Sequence, residues 1–267
     1  MAFKLEIFEE TFPIAGTFTI SRGSKTEAHV VRVVISDGGI SGQGECVPYA
    51  RYGESVESVM AEIESMRAHV TDRLDRETLR RTMKAGAARN ALDCALWDLE
   101  AKHDGLRAFA RLGLTPHPVI TAYTLSLGTA EAMHDAAKAA SDRPLLKIKV
   151  GGEGDIERLR AVADGAPRSR IIVDANEGWT DENVVANMAE CAHLGVVLIE
   201  QPLPAGKDDM LAVVDHPVLV CADESVHQTN DIAALKGRYD AVNIKLDKAG
   251  GLTEAWDMAF MARKLGM

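Results

Sequence analysis

Hydrophobic and polar positions follow two different rules along this chain. From Phe3 to Val47 the pattern is extended. Val30 to Ile35 is a β-branched run, Asp37-Gly38-Gly39 is a tight-turn signal, and Ile40 to Cys46 runs on as a further strand. These segments predict a small antiparallel sheet. From Ser55 the spacing turns helical, with Ser55 placed as an N-cap and Val56, Val59, Met60 and Ile63 recurring at three and four residues. A second helix is predicted over Glu77 to Lys84. A third is predicted over Ala87 to Lys102, which is rich in Ala and Leu, lacks Pro and stops at His103-Asp104-Gly105. Strands followed by helices describe an α+β unit.

After about Pro118, short apolar runs alternate with helical segments. The runs are Val119 to Leu127, Leu145 to Val150, Arg170 to Asp174, Val196 to Glu200, Val218 to Ala222 and Ala241 to Lys245. Helical stretches fall between them at Ala130 to Ala140, Asp155 to Ala163, Asp181 to His193, Met210 to Val214 and Thr229 to Leu235. Such alternation predicts βαβ crossovers and a parallel sheet covered by helices.

A charged residue ends most of these runs: Lys147 and Lys149, then Asp174, Glu200, Asp223 and Lys245. From Lys149 onward they are separated by 25, 26, 23 and 22 residues, about one βα unit each time. In a (β/α)8 barrel the strand ends meet at the rim where ligands bind. Three carboxylates on adjacent strands repel one another unless a cation sits among them, and all-oxygen ligation suits Mg²⁺. Asp174, Glu200 and Asp223 are therefore the expected metal triad. Lys149 and Lys245 flank it in strand order, an arrangement suited to moving a proton off and onto one carbon. An ordinary Lys is mostly protonated at pH 7, so the Mg²⁺ and the neighbouring Lys147 are expected to lower Lys149 toward a working base.

Composition narrows the classes of partner. The 267 residues carry a net charge of −10, which disfavours a phosphate-tracking surface and with it nucleic acid. Cys46, Cys94, Cys191 and Cys221 show neither CxxC nor zinc-ribbon spacing and read as free thiols of a reducing, cytoplasmic compartment. Lys4, Glu6, Glu9 and Glu10 argue against a signal peptide, and no apolar run reaches spanning length, so no membrane partner is expected. Gly42-Gln43-Gly44 lacks the third Gly and the following helix of a dinucleotide fingerprint and reads as part of a hairpin. His193, His216 and His227 have no HExxH context and read as core or loop histidines.

The segments Lys147-Ile148-Lys149, Val173-Asp174-Ala175-Asn176-Glu177, Ile199-Glu200-Gln201-Pro202, Ala222-Asp223-Glu224-Ser225 and Asn243-Ile244-Lys245-Leu246-Asp247 resemble those of the enolase superfamily, in its muconate-lactonizing subgroup. The match is closest to the dipeptide epimerases acting on L-Ala-D/L-Glu in murein peptide recycling. It extends through Ile20-Ser21-Arg22-Gly23-Ser24, Gly44 to Tyr49, Arg51 to Ser55 and Ala87 to Asp98. The resemblance implies that Lys149 and Lys245 are the acid/base pair, one per face of the α-carbon. It implies Mg²⁺ on Asp174, Glu200 and Asp223, with Lys147 assisting the substrate carboxylate. It further implies a capping unit that brings Arg22, Lys25 and the Arg51-Tyr52-Gly53 turn to a dipeptide substrate. Arg22 is the candidate for the distal glutamyl carboxylate, by bidentate geometry. Thr124 is the candidate partner of the dipeptide backbone.

The expected fold is thus an α+β capping domain over residues 1–117 and an α/β, (β/α)8-type (TIM-like) barrel domain over 118–267. Six units are present where a closed barrel needs eight, so the sequence is expected to be truncated after the sixth strand–helix unit. The resemblance puts an Asp-x-Asp pair for the dipeptide ammonium in the part beyond. Three readings stay open: a Mg²⁺-dependent dipeptide epimerase, a sister reaction (N-acylamino acid racemase, o-succinylbenzoate synthase or cycloisomerase), and a catalytically silent fragment or binding protein. A homo-oligomer is also left open.

Overall fold

A computed structural model describes residues 2–20 and 23–267, the side chain of Ile20 excepted. The N-terminal part is a three-stranded antiparallel sheet of β1 (Lys4–Ile20), β2 (Gly23–Asp37) and β3 (Ile40–Cys46), in that order. Asp37 pairs with Ile40 across a two-residue turn in which Gly38 and Gly39 both take positive φ, at 55° and 101°. Side-chain residues resist that backbone, which is why the Gly-Gly pair sets the register of the hairpin. Register slips once between β1 and β2, between Pro13 and Phe18, at the residue that has no N–H to give.

Five helices follow: α1 (Val56–Ser65), α2 (Arg67–Thr71), α3 (Arg76–Thr82), α4 (Ala87–His103) and α5 (Ala108–Arg111). Ser55 and Ser58 form a reciprocal capping box at the start of α1, as expected of Ser55. Alternate residues Val31, Val33 and Ile35 of β2 face inward and pack with Ala91, Leu92, Ala95 and Leu96 of α4. Helix α4 lies directly on β3 because Gly42 and Gly44 carry no side chain. A Cβ at Gly42 would meet the Ala95 carbonyl at 2.1 Å, and one at Gly44 the Ala91 carbonyl at 2.0 Å. The Gly-Gln-Gly segment is therefore a packing device of an antiparallel strand.

The second sheet has six parallel strands in chain order: β4 (Tyr123–Leu125), β5 (Leu145–Lys149), β6 (Arg170–Asp174), β7 (Leu198–Glu200), β8 (Leu219–Ala222) and β9 (Ala241–Val242). Between and after them run α6 (Ala130–Ala139), α7 (Asp155–Gly165), α8 (Val184–His193), a one-turn 3-10 helix (Asp209–Ala212), α9 (Thr229–Leu235), α10 (Leu246–Ala249) and α11 (Leu252–Lys264). Leu146, Ile148, Val173, Ile199 and Val220 make a core with Met133, Leu159, Met188, Ile232 and Met258 from the covering helices. The expected parallel αβ order is present. Five of the six strands are shorter than their apolar runs, β4 and β9 the most: β4 pairs only over three residues with its one neighbour, and residues 243–245 run past the last ladder pair into α10.

The two sheets are joined where α4 meets α10 and α11. Arg89, 3% exposed, donates to the carbonyls of Arg80 and Met83 at the end of α3 and to those of Ala249 and Gly250 at the end of α10. One guanidinium thus satisfies the orphan carbonyls of two helix C-termini. Asp93 accepts from the Thr253 amide at 3.0 Å and its hydroxyl at 2.6 Å, and Trp97 Nε1 donates to the same hydroxyl.

Replacing Gly44 by Ala forces a methyl into the α4 backbone, and overpacking of this kind costs about 3 kcal/mol. The Gly44→Ala protein is expected to unfold at clearly lower urea concentration than wild type, measured by circular dichroism; an unchanged midpoint would refute the close-packing account.

Candidate active site

The parallel ladders put Lys149, Asp174 and Glu200 side by side at the C-terminal ends of β5, β6 and β7. Asp223 follows β8, and Lys245 follows β9 as the residue that caps α10. All six charged strand-end residues read from the sequence therefore stand at one rim. Asp174, Glu200 and Asp223 are all buried, with at most 3% exposure.

Ammonium groups neutralise these carboxylates. Lys149 Nζ donates to Asp174 Oδ2 at 2.5 Å and to Asn176 Oδ1 at 3.0 Å. Lys147 Nζ bridges Asp174 Oδ2, at 2.9 Å, and Glu200 Oε2. Glu200 Oε1 accepts from Asn243 Nδ2 at 2.7 Å. Lys245 Nζ donates to Asp223 Oδ2 at 2.5 Å, and Lys248 Nζ to Asp223 Oδ1 at 2.6 Å.

The three carboxylates of the expected metal triad are held here by lysines. Among the described residues no three His, Cys, Asp or Glu side chains close on one point as cation ligands. The reason is electrostatic: the carboxylate oxygens turn to the lysines, and Lys147 holds the position between Asp174 and Glu200. The donor chemistry itself fits a hard cation, being three carboxylates on neighbouring strands with a positive charge lodged between two of them.

Burial, and then Asp174, raises the Glu200 carboxyl above its ordinary range. Burial also pushes Asp223 upward, but Lys248 and Lys245 outweigh it and hold Asp223 well below the usual carboxylate range. Burial lowers Lys147 and Lys245, yet the carboxylates beside them leave both above the ordinary lysine value. Lys248 stays below that value because burial dominates.

The expected substrate contacts divide. Thr124 pairs in register with Lys147 and so stands beside the site. Tyr52 lies edge-on to His227 with ring centroids 4.8 Å apart, which ties the 3-10 turn Ala50–Tyr52 to the loop after β8. His227 is thereby a partnered loop histidine, as read from sequence. Arg51 of the same turn pairs with Glu177 at 2.9 Å across the two halves of the molecule. Lys25 is exposed, with Nζ 5.9 Å from the Tyr49 ring centre. Arg22 lies outside the described residues.

The strand-end spacing does not mark Asn176, Asn243, Lys248 or Asp247 as site residues. The two asparagines carry no charge to mark them, and Lys248 sits in a helix rather than at a strand end. Asp247 accepts from Asn90 Nδ2 at 2.7 Å and from the Val47 amide at 3.3 Å, joining the N-terminal sheet and α4 to the residue two past Lys245. Burial, with Glu54 and Glu45 nearby, pushes its carboxyl up to about 6.

Residues 2–113 match the family model of the mandelate racemase / muconate lactonizing enzyme N-terminal domain, and residues 129–267 match the enolase C-terminal domain-like model. The chain belongs to the mandelate racemase / muconate lactonizing enzyme family of the enolase superfamily. It is 47% identical over 265 residues to the L-Ala-D/L-Glu epimerase of Escherichia coli, covering 98% of this chain and 83% of the relative. It is 45% identical to an N-acetyl-D-glutamate racemase of Pseudoalteromonas, over 89% of this chain and 76% of that one. A solved enolase family member from Agrobacterium tumefaciens, with bound sodium and L-Ala-L-Glu, superimposes at a TM-score of 0.97 with 56% identity, covering 99% and 82% of the two chains. A dipeptide epimerase from Enterococcus faecalis with Mg and L-Leu-L-Tyr superimposes at 0.93 with 28% identity, covering 100% and 81%.

An aspartate with a folded value near 6 binds its proton more tightly than an unfolded one near 3.9. Its contribution to stability is full below about pH 4 and is lost as pH rises through about 6. Asp247→Asn removes this dependence. The stability difference between variant and wild type is expected to move in the variant's favour by about 2 to 3 kcal/mol from pH 4 to pH 7, read by urea unfolding. A difference constant with pH would contradict the assignment.

Proposed function

We propose that this protein is an epimerase of glutamyl dipeptides such as L-Ala-D/L-Glu, inverting the glutamyl α-carbon by 1,1-proton transfer in cell-wall peptide metabolism. The observation that carries this is the pair of lysines on the two flanks of one carboxylate row, Lys149 on Asp174 and Lys245 on Asp223. Strands β6, β7 and β8 separate the two, so the lysines reach the space above the row from different sides. The amine of one takes the α-proton and the ammonium of the other returns a proton to the opposite face, so a turnover leaves the proton count unchanged.

Asp174, Glu200 and Asp223 would hold a divalent cation of the Mg²⁺ class, with Lys147 giving way from between Asp174 and Glu200. Bound there, the cation supplies Lewis-acid stabilisation of the charge that develops on the substrate carboxylate as the α-proton leaves. Lys147, bonded to Glu200 and Asp174, supplies a further positive charge for that carboxylate. In this reading Thr124, Tyr52, Lys25 and Arg22 are the substrate-binding residues, with 1–117 as the capping domain and 118–267 as the barrel-type domain.

A second reading is favoured by the Pseudoalteromonas relative: racemisation of an N-acyl glutamate, which presents the same glutamyl α-carbon without a free ammonium. Proton NMR in D₂O with Mg²⁺ separates the two. Loss of the glutamyl α-proton of L-Ala-D-Glu with formation of its epimer supports the first, and exchange confined to N-acetyl-D-glutamate supports the second.

Lys149→Ala and Lys245→Ala are each expected to lower epimerisation by about 10³-fold or more, with EDTA abolishing and Mg²⁺ restoring wild-type turnover. Each variant should keep α-proton exchange from only one epimer. Epimerisation at wild-type rate in either variant would rule out the two-lysine mechanism.

A further inference from the structure

Lys248 is a charged residue with no part in the proton transfer described above, yet it is only 3% exposed. It lies on α10, three residues beyond Lys245. Its ammonium has three protons and three acceptors: the Asp223 carbonyl, Asp223 Oδ1 at 2.6 Å and the Asn243 carbonyl at 3.2 Å. Burying an ammonium costs several kcal/mol unless its hydrogen bonds are made, and here all are made. The other oxygen of the same carboxylate, Oδ2, accepts from Lys245. The two lysines therefore share one carboxylate, an oxygen each.

The two proton-transfer lysines differ in how they are held. Lys149 is buried and has both Asp174 and Asn176 as partners. The Lys245 side chain is 42% exposed, and Asp223 Oδ2 is the anchor that restrains its four-carbon stem. A free Lys side chain has considerable rotamer entropy to lose, so the position of Nζ depends on that anchor staying still.

We infer that Lys248 is a positioning residue for Lys245: by gripping Asp223 at Oδ1 and at its main-chain carbonyl, and Asn243 at its carbonyl, it fixes the carboxylate plane and reserves Oδ2 for Lys245. Asn243 in turn donates to Glu200, so the same three contacts tie the ends of β8 and β9 together. Asp247, the neighbour of Lys248, bonds to Val47 and Asn90, which anchors this turn to the N-terminal half. The effect is one-sided: among the described residues the hydrogen bonds of Lys248 go to Asp223 and Asn243, not to Lys149 or its partners Asp174 and Asn176.

The kinetic arm of the test rests on the proposed proton transfer; the structural arm does not. Lys248→Met removes the ammonium at nearly constant shape, and Lys248→Gln serves if the first variant does not fold. Exchange of the glutamyl α-proton is followed in D₂O with saturating Mg²⁺, starting from L-Ala-D-Glu and from L-Ala-L-Glu. The epimer served by Lys245 is the one that Lys245→Ala no longer exchanges. Exchange from that epimer is expected to fall about 10- to 100-fold in the Lys248 variant, with the other epimer within about threefold of wild type, as misplacement of one catalytic group requires. A crystal structure of the variant is expected to show the Asp223 carboxylate turned and Lys245 Nζ off Oδ2. Equal loss from both epimers, no loss from either, or Asp223 and Lys245 superimposing on wild type would overturn the inference. If wild type exchanges neither dipeptide, the functional reading fails and the crystal structure alone decides the role of Lys248.

Discussion

Three carboxylates buried at neighbouring strand ends cannot exist without compensating positive charge. Asp174, Glu200 and Asp223 are all but sealed from water, and the desolvation penalty for each unpaired ion is several kcal/mol. Lys147, Lys149, Lys245 and Lys248 supply that charge. Everything else in the second sheet serves this layer: the βα spacing that brings the charges to one rim, the apolar core beneath, and the asparagines that complete their hydrogen bonds. A folding unit selected for stability alone would place hydrophobic side chains at these positions, since well-packed apolar groups often replace buried ion pairs without loss. Keeping so many charges in one layer is what a site for proton transfer beside an anionic substrate requires.

The N-terminal half acts on this layer through two helix ends. Arg89 binds the C-termini of α3 and α10 at once, and Asp247 takes an amide from β3's end and another from α4. Lys245 is the N-cap of α10, so the element that aims this proposed proton-transfer lysine is held by the opposite half of the molecule. The Arg51–Glu177 pair and the Tyr52–His227 contact make the same connection at the mouth of the site. The two halves are in this sense one site.

Much of this was legible in the sequence, and the reason is periodicity. Strand-end charges at intervals near one βα unit located Lys149, Asp174, Glu200, Asp223 and Lys245, because the crossover length is nearly constant and the ladder is parallel. Ser55 and the Ala87-to-Lys102 stretch marked α1 and α4 through cap chemistry and propensity. Other features depended on neighbours that a linear pattern does not contain. Val119 to Leu127 has strand composition, but only Tyr123–Leu125 finds ladder partners, and Val119 is 85% exposed. Helix α8 starts at Val184 rather than Asp181: residues 181–183 form a turn in which the Asn183 side chain accepts from the Thr180 amide. Lys248 carries no mark in the sequence because it sits within α10 rather than at a strand end. Whether the three carboxylates close on one centre depends equally on where Lys147 points, and no spacing encodes that.

A crystal structure with Mn²⁺ and its anomalous signal would test the central claim most directly. The account predicts one cation peak about 2.0 to 2.2 Å from an oxygen of each of Asp174, Glu200 and Asp223, with Lys147 displaced from between Asp174 and Glu200. A cation bound elsewhere, or a triad still capped by Lys147 at saturating Mn²⁺, would contradict it.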